Sequence, residues 1–316
     1  MHVIHGYDHV PHDARGATLA IGNFDGVHRG HQALLQEARR AIAKHGGLAG
    51  AMVFEPHPRE FFQPDRPHFR LTPLAQKLAL LERYDLDLAV VLTFDKKLAA
   101  LSAHDFIERI LVAGLGVRHI IVGHDFHFGK GRDGNAAVML EAGKEFGFDV
   151  TVVETVAEAG EIFSSSAIRA EIAQGDVKSA AHMLGHYWRT SGKVVGGAKI
   201  GQGIGFPTAN IPLPKGTALA HGIYAVFVYI HGEQHQGAAY LGTRPTFDDG
   251  TPILEVFLFD FNDDLYGREI EIEFVDFIRG DRRFETVELL VAQMDKDCAR
   301  ARQILGESRS RASRAG

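Results

Sequence analysis

The feature that most constrains this chain is a change of hydrophobic pattern near residue 185. Before it, short apolar runs alternate with stretches of helical periodicity; after it, candidate strands follow one another with only turn residues between them. Apolar strands alternating with helices predict a parallel sheet covered on both faces. Successive strands without helices predict a small antiparallel barrel. The predicted fold class is therefore α/β plus β-barrel, with two domains in 316 residues.

The first domain is predicted to be Rossmann-like and to span residues 1–184. Its strands are expected at 17–22, 49–55, 86–94, 118–123 and 149–154. Helices are expected at 31–45, where Gly46 and Gly47 end the stripe, at 73–83 with Thr72 as N-cap, at about 103–113 with Ser102 as N-cap, and at 135–147. Such sheets bind ligands beyond the carboxyl ends of their strands.

The second domain is predicted to span residues 185–307 and to be a six-stranded antiparallel β-barrel with a terminal helix. Its strands are expected at 188–197, 207–211, 222–230, 235–242, 253–261 and 269–279. The helix is expected at about 286–305, with a stripe formed by Leu289, Leu290, Met294 and Cys298. Residues 308–316 are predicted to be a polar, frayed tail.

Composition limits the classes of function. The formal net charge is −6 and the pI about 6.3, which gives no global basic field for nucleic acid. No apolar run reaches the roughly 18 residues of a membrane span, and the first residues lack the apolar core of a secretory signal. The single cysteine, Cys298, fits a reducing compartment. We therefore expect a cytoplasmic protein that binds neither nucleic acid nor membrane; its oligomeric state stays open.

The first chemical motif is GNFDGVHRGH at residues 22–31, between the first predicted strand and the next helix. Glycines let the backbone pass close to a ligand, and helix N-terminal amides favour phosphate. His28 and His31 are three residues apart, so at a helix start they point the same way and can donate to a phosphoryl group. The alternative is a capped turn with solvent-exposed histidines.

This motif resembles the H-x-G-H motif of the nucleotidyltransferase superfamily. Three further blocks follow it in order: FEPHPR at 54–59, GHDFHFG at 123–129 and SSSAIR at 164–169. Together they resemble the adenylyltransferase half of bacterial bifunctional riboflavin kinase/FAD synthetases. The resemblance implies nucleotide binding by Gly22, Asn23, Phe24 and Asp25, and catalytic roles for His28, His31 and Arg169.

Two of these blocks have simpler alternatives. Ser164 and Ser165 open a helix and Arg169 lies one turn inside it, which also fits helix capping with a surface arginine. The resemblance implies that this segment closes over the ATP phosphates. Asp125 and Phe126 lie in a glycine-rich loop after the fourth strand, where the aromatic rings are either core residues or face a flat ring. The resemblance implies that they help to form the flavin and nucleotide site.

The second chemical motif is KVVGGAKIGQGIGFPTANI at residues 193–211. Its glycine loop, with Gly201 and Gly203, can wrap phosphates with backbone amides. Thr208 and Asn210 share one strand face and are candidate oxygen ligands for Mg²⁺. The alternative is a glycine-rich hairpin of the barrel. GFPTAN resembles the motif of riboflavin kinases.

Glu255 is predicted to be the catalytic carboxylate of this second half. It lies in the apolar run ILEVFLFDF, and partial burial would raise its pKa toward the range of a general base. The alternative is a rim carboxylate paired with an arginine such as Arg244. The resemblance implies that Glu255 accepts the proton of the riboflavin 5′-hydroxyl. Three positions depart from the commonest family pattern: Tyr240 replaces asparagine, Phe257 histidine and Gln202 arginine.

The resemblance implies two reactions, riboflavin to FMN in the barrel and FMN to FAD in the first domain. The substrates would be riboflavin, FMN and ATP, and the cofactor Mg²⁺. The alternatives are a single-activity adenylyltransferase with a ligand-binding barrel, an aminoacyl-tRNA-synthetase-like enzyme and a flavin carrier. A histidine metal site lacks co-ligands, so we expect His2, His5, His9 and His12 to belong to a solvated arm.

Overall fold

The computed structural model describes residues 1–158, 160–196, 205–246 and 251–312. The chain divides into two compact units, one formed by Met1–His68 and Thr72–Ser164 and the other by Phe69–Leu71 and Ser165–Gly316. The predicted domain boundary after residue 184 stays a prediction. In the described part of the chain, no helix is long and apolar enough to cross a membrane.

The first unit is built around a six-stranded sheet in which every paired strand is parallel. The strands of the unit are β1 (His2–His5), β2 (Thr18–Ile21), β3 (Ala49–Glu55), β4 (Leu88–Thr93), β5 (His119–Gly123), β6 (His127–Phe128), β7 (Gly134–Asn135), β8 (Asp149–Val153), β9 (Ala157–Glu158) and β10 (Glu161–Ile162). The order in the large sheet is β1-β4-β3-β2-β5-β8, while β6–β7 and β9–β10 form two small antiparallel pairs. This confirms the predicted parallel sheet.

Helices cover both faces of this sheet. They are α1 (Arg29–His45), α2 (Pro58–Phe62), α3 (Leu74–Arg83), α4 (Lys96–Ala99), α5 (Ala103–Asp105), which continues into a wider helical stretch at Phe106–Gly114, and α6 (Ala136–Phe146). Leu19 and Ile21 of β2 pack into one core, whereas Ala20 between them packs into the other. Successive side chains of a strand point to opposite faces, so both faces are buried, as apolar parallel strands require.

Two predictions about the first unit are wrong. The predicted solvated arm is wrong for its first residues, because His2–His5 pairs in register with Leu88–Val91 of β4. The side chains of His2, His5, His9 and His12 are nevertheless all exposed to solvent, as predicted. Thr72 does not cap α3, which starts at Leu74 with Pro73 in the N-cap position. Ser102 does cap its helix, since its hydroxyl accepts the N–H of Asp105 at 3.0 Å.

The second unit is an antiparallel, nearly closed barrel. Two helices, α7 (Ser165–Gln174) and α8 (Val177–Leu184), precede β11 (Arg189–Lys193), β12 (Thr208–Pro212), β13 (Gly222–Ile230), β14 (Glu233–Thr246), β15 (Pro252–Leu258) and β16 (Glu269–Arg279). The strand order is β11-β16-β13-β14-β15-β12. The two edge strands approach each other where the N–H of Val195 donates to the carbonyl of Asn210 at 2.9 Å. This confirms the predicted six-stranded barrel.

The barrel is filled from inside and covered in part from outside. Its interior holds fully buried side chains: Ile211, Tyr224, Val226, Leu254, Val256, Ile272 and Phe274. The terminal helix, α9 (Val287–Ala312), packs Ala301, Ile304 and Leu305 on Phe227 and Phe259. The helix continues to Ala312 instead of fraying after residue 307. Leu289 was predicted to lie on the apolar stripe of α9, but its side chain is 53% exposed. The helix contacts the barrel nearer its C-terminal end, through Ala301, Ile304 and Leu305.

Candidate active sites

The first candidate site is the turn between β2 and α1. Phe24 and Val27 are buried non-glycine residues with φ values of 47° and 43°, and Gly26 has a φ of 89°. Side-chain-bearing residues rarely adopt this left-handed conformation, and a structure keeps it only where surrounding contacts impose it. A strained turn at the carboxyl end of a parallel strand is a common feature of ligand sites.

Buried polar contacts from the start of α3 hold this turn. The carboxylate of Asp25, which is 2% exposed, accepts the N–H of Thr72 at 3.1 Å. The Thr72 hydroxyl accepts the N–H of Gly26 at 2.8 Å, and the Lys77 ammonium donates to the carbonyl of Asn23 at 2.7 Å. Thr72 and Lys77 are themselves buried. Asp25 and Asn23 are thus used by the turn itself.

Sequence reasoning missed Thr72 and Lys77. The available signal was a lysine at an apolar position of the α3 stripe, next to a threonine that the pattern assigned to helix capping. A lysine almost never becomes fully buried without a polar partner, so its burial marks a built contact.

His28 and His31 lie together at the start of α1. The ring centroids are 3.6 Å apart and the rings are stacked. His28 is the N-cap residue, and its Nδ1 accepts the N–H of His31. A neutral imidazole that accepts at Nδ1 carries its proton on Nε2, so in its neutral form His28 has its N–H donor at Nε2.

His31 is held in its neutral form. Burial lowers the pKa of His31 well below its ordinary value, and the neighbouring His28 and Lys77 lower it further. Its Nδ1 is buried and has no hydrogen-bond partner among the described residues. His31 can therefore offer a hydrogen bond to a phosphoryl oxygen without adding a full positive charge of its own.

Gly30 is required by the position of the His28 ring. A Cβ at Gly30 would lie 3.0 Å from Cε1 and 3.1 Å from Nδ1 of His28, and 3.3 Å from the carbonyl oxygen of Phe163. Gly22 is similar, since its Cβ would lie 3.3 Å from the Phe24 ring. Both glycines of the motif make room for neighbouring rings.

The loop after β5 contains Asp125 and Phe126. Asp125 is exposed, and its carbonyl contacts Nδ1 of His127 at 2.8 Å. Phe128 is 7% exposed and belongs to the core, whereas Phe126 is half-buried and stacks on it with centroids 5.3 Å apart. The two alternatives for these rings were a place in the core and a place facing a flat ligand. Phe128 lies in the core, whereas Phe126 is only partly buried there.

The same unit also exposes an aromatic group that sequence reasoning missed. Phe62 is 64% exposed and packs edge-on against Phe61 and Phe94. An exposed apolar ring cluster is the kind of surface that a flat ligand covers. No sequence signal separates these rings from ordinary core aromatics.

The structure places the predicted phosphate segment partly in the other unit. Ser164 ends the first unit, while Ser165 and Arg169 belong to the second, at the start of α7. The Arg169 guanidinium donates from Nε to the carbonyl of Phe69 at 2.6 Å and from Nη1 to that of Ser165 at 3.2 Å. These bonds fix the orientation of the guanidinium.

The second candidate site is a row of residues across the barrel wall. Asn210 of β12 is the direct partner of Glu255 in β15, and Glu255 is also the direct partner of Tyr240 in β14. Thr208 lies two residues before Asn210, opposite Phe257. Directly opposed residues and those two apart project from one face, so Thr208, Asn210 and Glu255 share a face.

Glu255 is half-buried, and burial raises the pKa of its carboxyl above the ordinary value. This is the shift that a general base requires. Among the side chains that the structure describes, none forms an ion pair with Glu255. The side chain of Arg244 lies outside that set, so an ion pair between Arg244 and Glu255 stays open as the alternative. The predicted residues Gly201 and Gly203, and with them Gln202, also lie outside the described residues.

The described residues contain no group of three or more His, Cys, Asp or Glu side chains that could hold a metal. The barrel row instead supplies a hydroxyl, an amide and a carboxylate. Asn210 is only 9% exposed. A few hard oxygen ligands completed by substrate phosphates suit Mg²⁺. The donor set of Thr208 and Asn210 thus fits the predicted cation.

Comparisons with known proteins match both halves. A family model described as FAD synthetase matches residues 10–167, and one described as riboflavin kinase matches residues 184–305. Two proteins named bifunctional riboflavin kinase/FMN adenylyltransferase are similar to the chain. The one from Escherichia coli (strain K12) is 42% identical over 96% of each chain, and that from Pseudomonas fluorescens is 39% identical over 98% of this chain and 100% of the relative.

A solved structure described as a macrolide-efflux protein from Streptococcus pneumoniae is also similar. It has a TM-score of 0.81 and 29% identity over 93% of this chain and 97% of that one.

Proposed function

We propose residue roles for two reactions, from the premise that this chain belongs to the family of bifunctional riboflavin kinase/FMN adenylyltransferases. The FAD synthetase half lies at residues 10–167 and the riboflavin kinase half at 184–305. In the kinase half, riboflavin and ATP give FMN and ADP. In the other half, FMN and ATP give FAD and pyrophosphate. The single observation that carries the assignment is the contrast between the two sites, a half-buried carboxylate in one and two stacked imidazoles, of which burial lowers the pKa of His31, in the other.

The kinase reaction requires a base, because the 5′-hydroxyl of riboflavin is a weak nucleophile until it loses its proton. Glu255 accepts that proton as the oxygen attacks the γ-phosphorus of ATP. The raised pKa of its carboxyl makes it a better acceptor than an exposed glutamate. The proton stays on the Glu255 carboxyl group. The bond between the γ-phosphorus and the oxygen that bridges the β- and γ-phosphates breaks, and ADP leaves with that oxygen.

Thr208 and Asn210 hold the cation that accompanies ATP, which we assign as Mg²⁺. When bound, the cation neutralises charge on the phosphates. The Thr208 hydroxyl and the Asn210 amide oxygen lie on the face of Glu255. The bridge between Val195 and Asn210 anchors the incoming end of the glycine loop, whose Gly201 and Gly203 would offer amides to the phosphates.

The adenylyl transfer requires no base. The phosphate of FMN is already ionised, so one of its oxygens attacks the α-phosphorus of ATP directly, and pyrophosphate leaves. His28 and His31 donate hydrogen bonds to the oxygens on which charge develops. Gly22, Asn23, Phe24 and Asp25 shape the turn that carries the α1 amides.

The remaining predicted residues take binding roles. Arg169, oriented by two backbone carbonyls, contacts phosphate through its guanidinium group, and Ser164 and Ser165 assist. Asp125 and Phe126 line the flavin or nucleotide site. The substrates are small molecules, and a cytoplasmic location remains our prediction.

The assignment is tested with full-length variants given either riboflavin or FMN together with Mg-ATP. Glu255→Gln, which is isosteric but cannot take the proton, should abolish FMN formation and leave FAD formation from FMN within about twofold. His28→Ala should do the reverse, with a loss on the order of 100-fold. Chromatography of the products checks both. Equal loss of both steps in both folded variants would contradict the assignment.

A further inference from the structure

Tyr240 lies at the centre of a row that crosses the barrel wall. The row is Asn210, Glu255, Tyr240, Ile223 and Arg279, each the direct partner of the next. Opposed residues of antiparallel strands share a face, so the phenol of Tyr240 emerges beside the carboxylate of Glu255.

The phenol of Tyr240 has a defined role in this position. Its hydroxyl donates to Oδ1 of Asp281 at 3.1 Å. Burial and the neighbouring carboxylates of Asp281 and Glu255 raise the pKa of Tyr240 to about 12, so the hydroxyl stays protonated. The ring lies over Gly242, because any Cβ at that position would overlap it.

Asp281 belongs to the 280–286 segment, which connects β16 to α9. Arg279, which immediately precedes this segment, links it to the terminal helix. The Arg279 guanidinium pairs with Asp297 of α9 at 2.7 Å and donates to the Gly280 carbonyl at 2.9 Å. Arg279 and Arg282 both lie over the Phe284 ring, at 5.7 and 5.5 Å from its centroid. The hydrogen bond from Tyr240 therefore ties an otherwise exposed segment to β14, next to the proposed base.

We propose that Tyr240 is a positioning residue of the kinase site, which fixes the 280–286 segment beside Glu255 and thereby sets the affinity for the flavin substrate. The inference rests on the proposed function of Glu255. Tyr240 takes no proton in the reaction. It acts through Asp281, so its loss weakens substrate binding and leaves the chemical step intact.

The test compares Tyr240→Phe with the full-length enzyme in steady-state FMN formation. The variant keeps the ring and removes only the hydroxyl. The KM for riboflavin should rise about three- to tenfold, and kcat should stay within twofold. Asp281→Ala should raise the KM for riboflavin by a similar factor. The double variant should have a KM no higher than the higher of the two single-variant values, because both substitutions remove the same interaction.

Tyr229→Phe is the matched control. Tyr229 makes the same kind of bond, to Glu273 at 2.9 Å, but lies outside the row. Its KM for riboflavin should equal that of the wild type. Any of three results would overturn the proposal. The Tyr240→Phe variant could show an unchanged KM for riboflavin, or a kcat that falls by the same factor as kcat/KM. The double variant with Asp281→Ala could show additive effects. FMN formation by Glu255→Gln would instead overturn the proposed function and leave the KM comparison readable.

Discussion

A single hydrogen atom in place of a side chain sets the geometry of the first site. At Gly30 a methyl group would lie within 3.1 Å of two atoms of the His28 ring, so Gly30→Ala forces that ring to move. Contacts this short oblige the ring to give way by a few tenths of an ångström. Because a misplacement of about 1 Å can cost on the order of 100-fold in rate, we expect this smaller shift to cost roughly three- to tenfold. We expect this loss in FMN-to-FAD conversion and none in FMN formation, both measured by product chromatography.

Gly306→Ala is the control for that variant. Gly306 lies in α9 with no atom within 4 Å of an added Cβ, so alanine there should leave both reactions unchanged. It should also stabilise the helix by up to about 1 kcal/mol. A Gly30→Ala enzyme that made FAD at the wild-type rate would show that the position of the His28 ring is unimportant.

At the scale of elements, Thr72 joins the start of α3 to the turn between β2 and α1. Thr72→Val keeps the shape but leaves the buried N–H of Gly26 without its acceptor, which costs about 1–3 kcal/mol. Since the turn carries the histidines, FAD formation from FMN should slow as well. Urea unfolding and product chromatography measure the two effects.

Thr72→Ser retains the hydroxyl and should behave like the wild type in both assays. If Thr72→Val and Thr72→Ser were equally stable and equally active, the hydroxyl would have no part in holding the turn.

The sequence predicted elements wherever a period was long enough to read. Strand β3 matches its predicted bounds, and α1 ends at His45 before Gly46 as the glycine pair indicates. The four-residue β1 was missed because HVIH has no clear alternation and gains its partner only from β4, more than 80 residues later. Leu289 was placed on the wrong surface because periodicity does not show how far along α9 the barrel extends.

In the candidate sites, too, the sequence predicted local arrangements but not contacts between distant residues. Motif spacing predicted that His28 and His31 would lie together and that Thr208 and Asn210 would share a strand face. That Glu255 lies on the same face follows from the register of β12 and β15. The contacts of Asp25 with Thr72 and of Tyr240 with Asp281 join residues more than 40 positions apart. Such pairs depend on how strands and helices meet, which no local pattern contains.

At the scale of the whole molecule, the chain carries two kinds of phosphoryl chemistry in separate units. The stacked imidazoles belong to the first unit and the carboxylate row to the second. The base proposed for the kinase step and the imidazoles proposed for the adenylyl transfer therefore belong to different units. A substitution in one site should leave the chemistry of the other unchanged.

The most direct test of this claim is complementation between two variants that each lack one of the two reactions. Full-length Glu255→Gln and His28→Ala proteins are each incubated with riboflavin and Mg-ATP, alone and as an equimolar mixture, and FAD is measured by chromatography. Alone, the Glu255→Gln protein should make no FAD, and the His28→Ala protein should make it at about one-hundredth of the wild-type rate. The mixture should make FAD much faster than either, because FMN released by the His28→Ala protein is adenylylated by the Glu255→Gln protein. A mixture that made no more FAD than the separate proteins, with both folded and each retaining its remaining step, would contradict two independent sites.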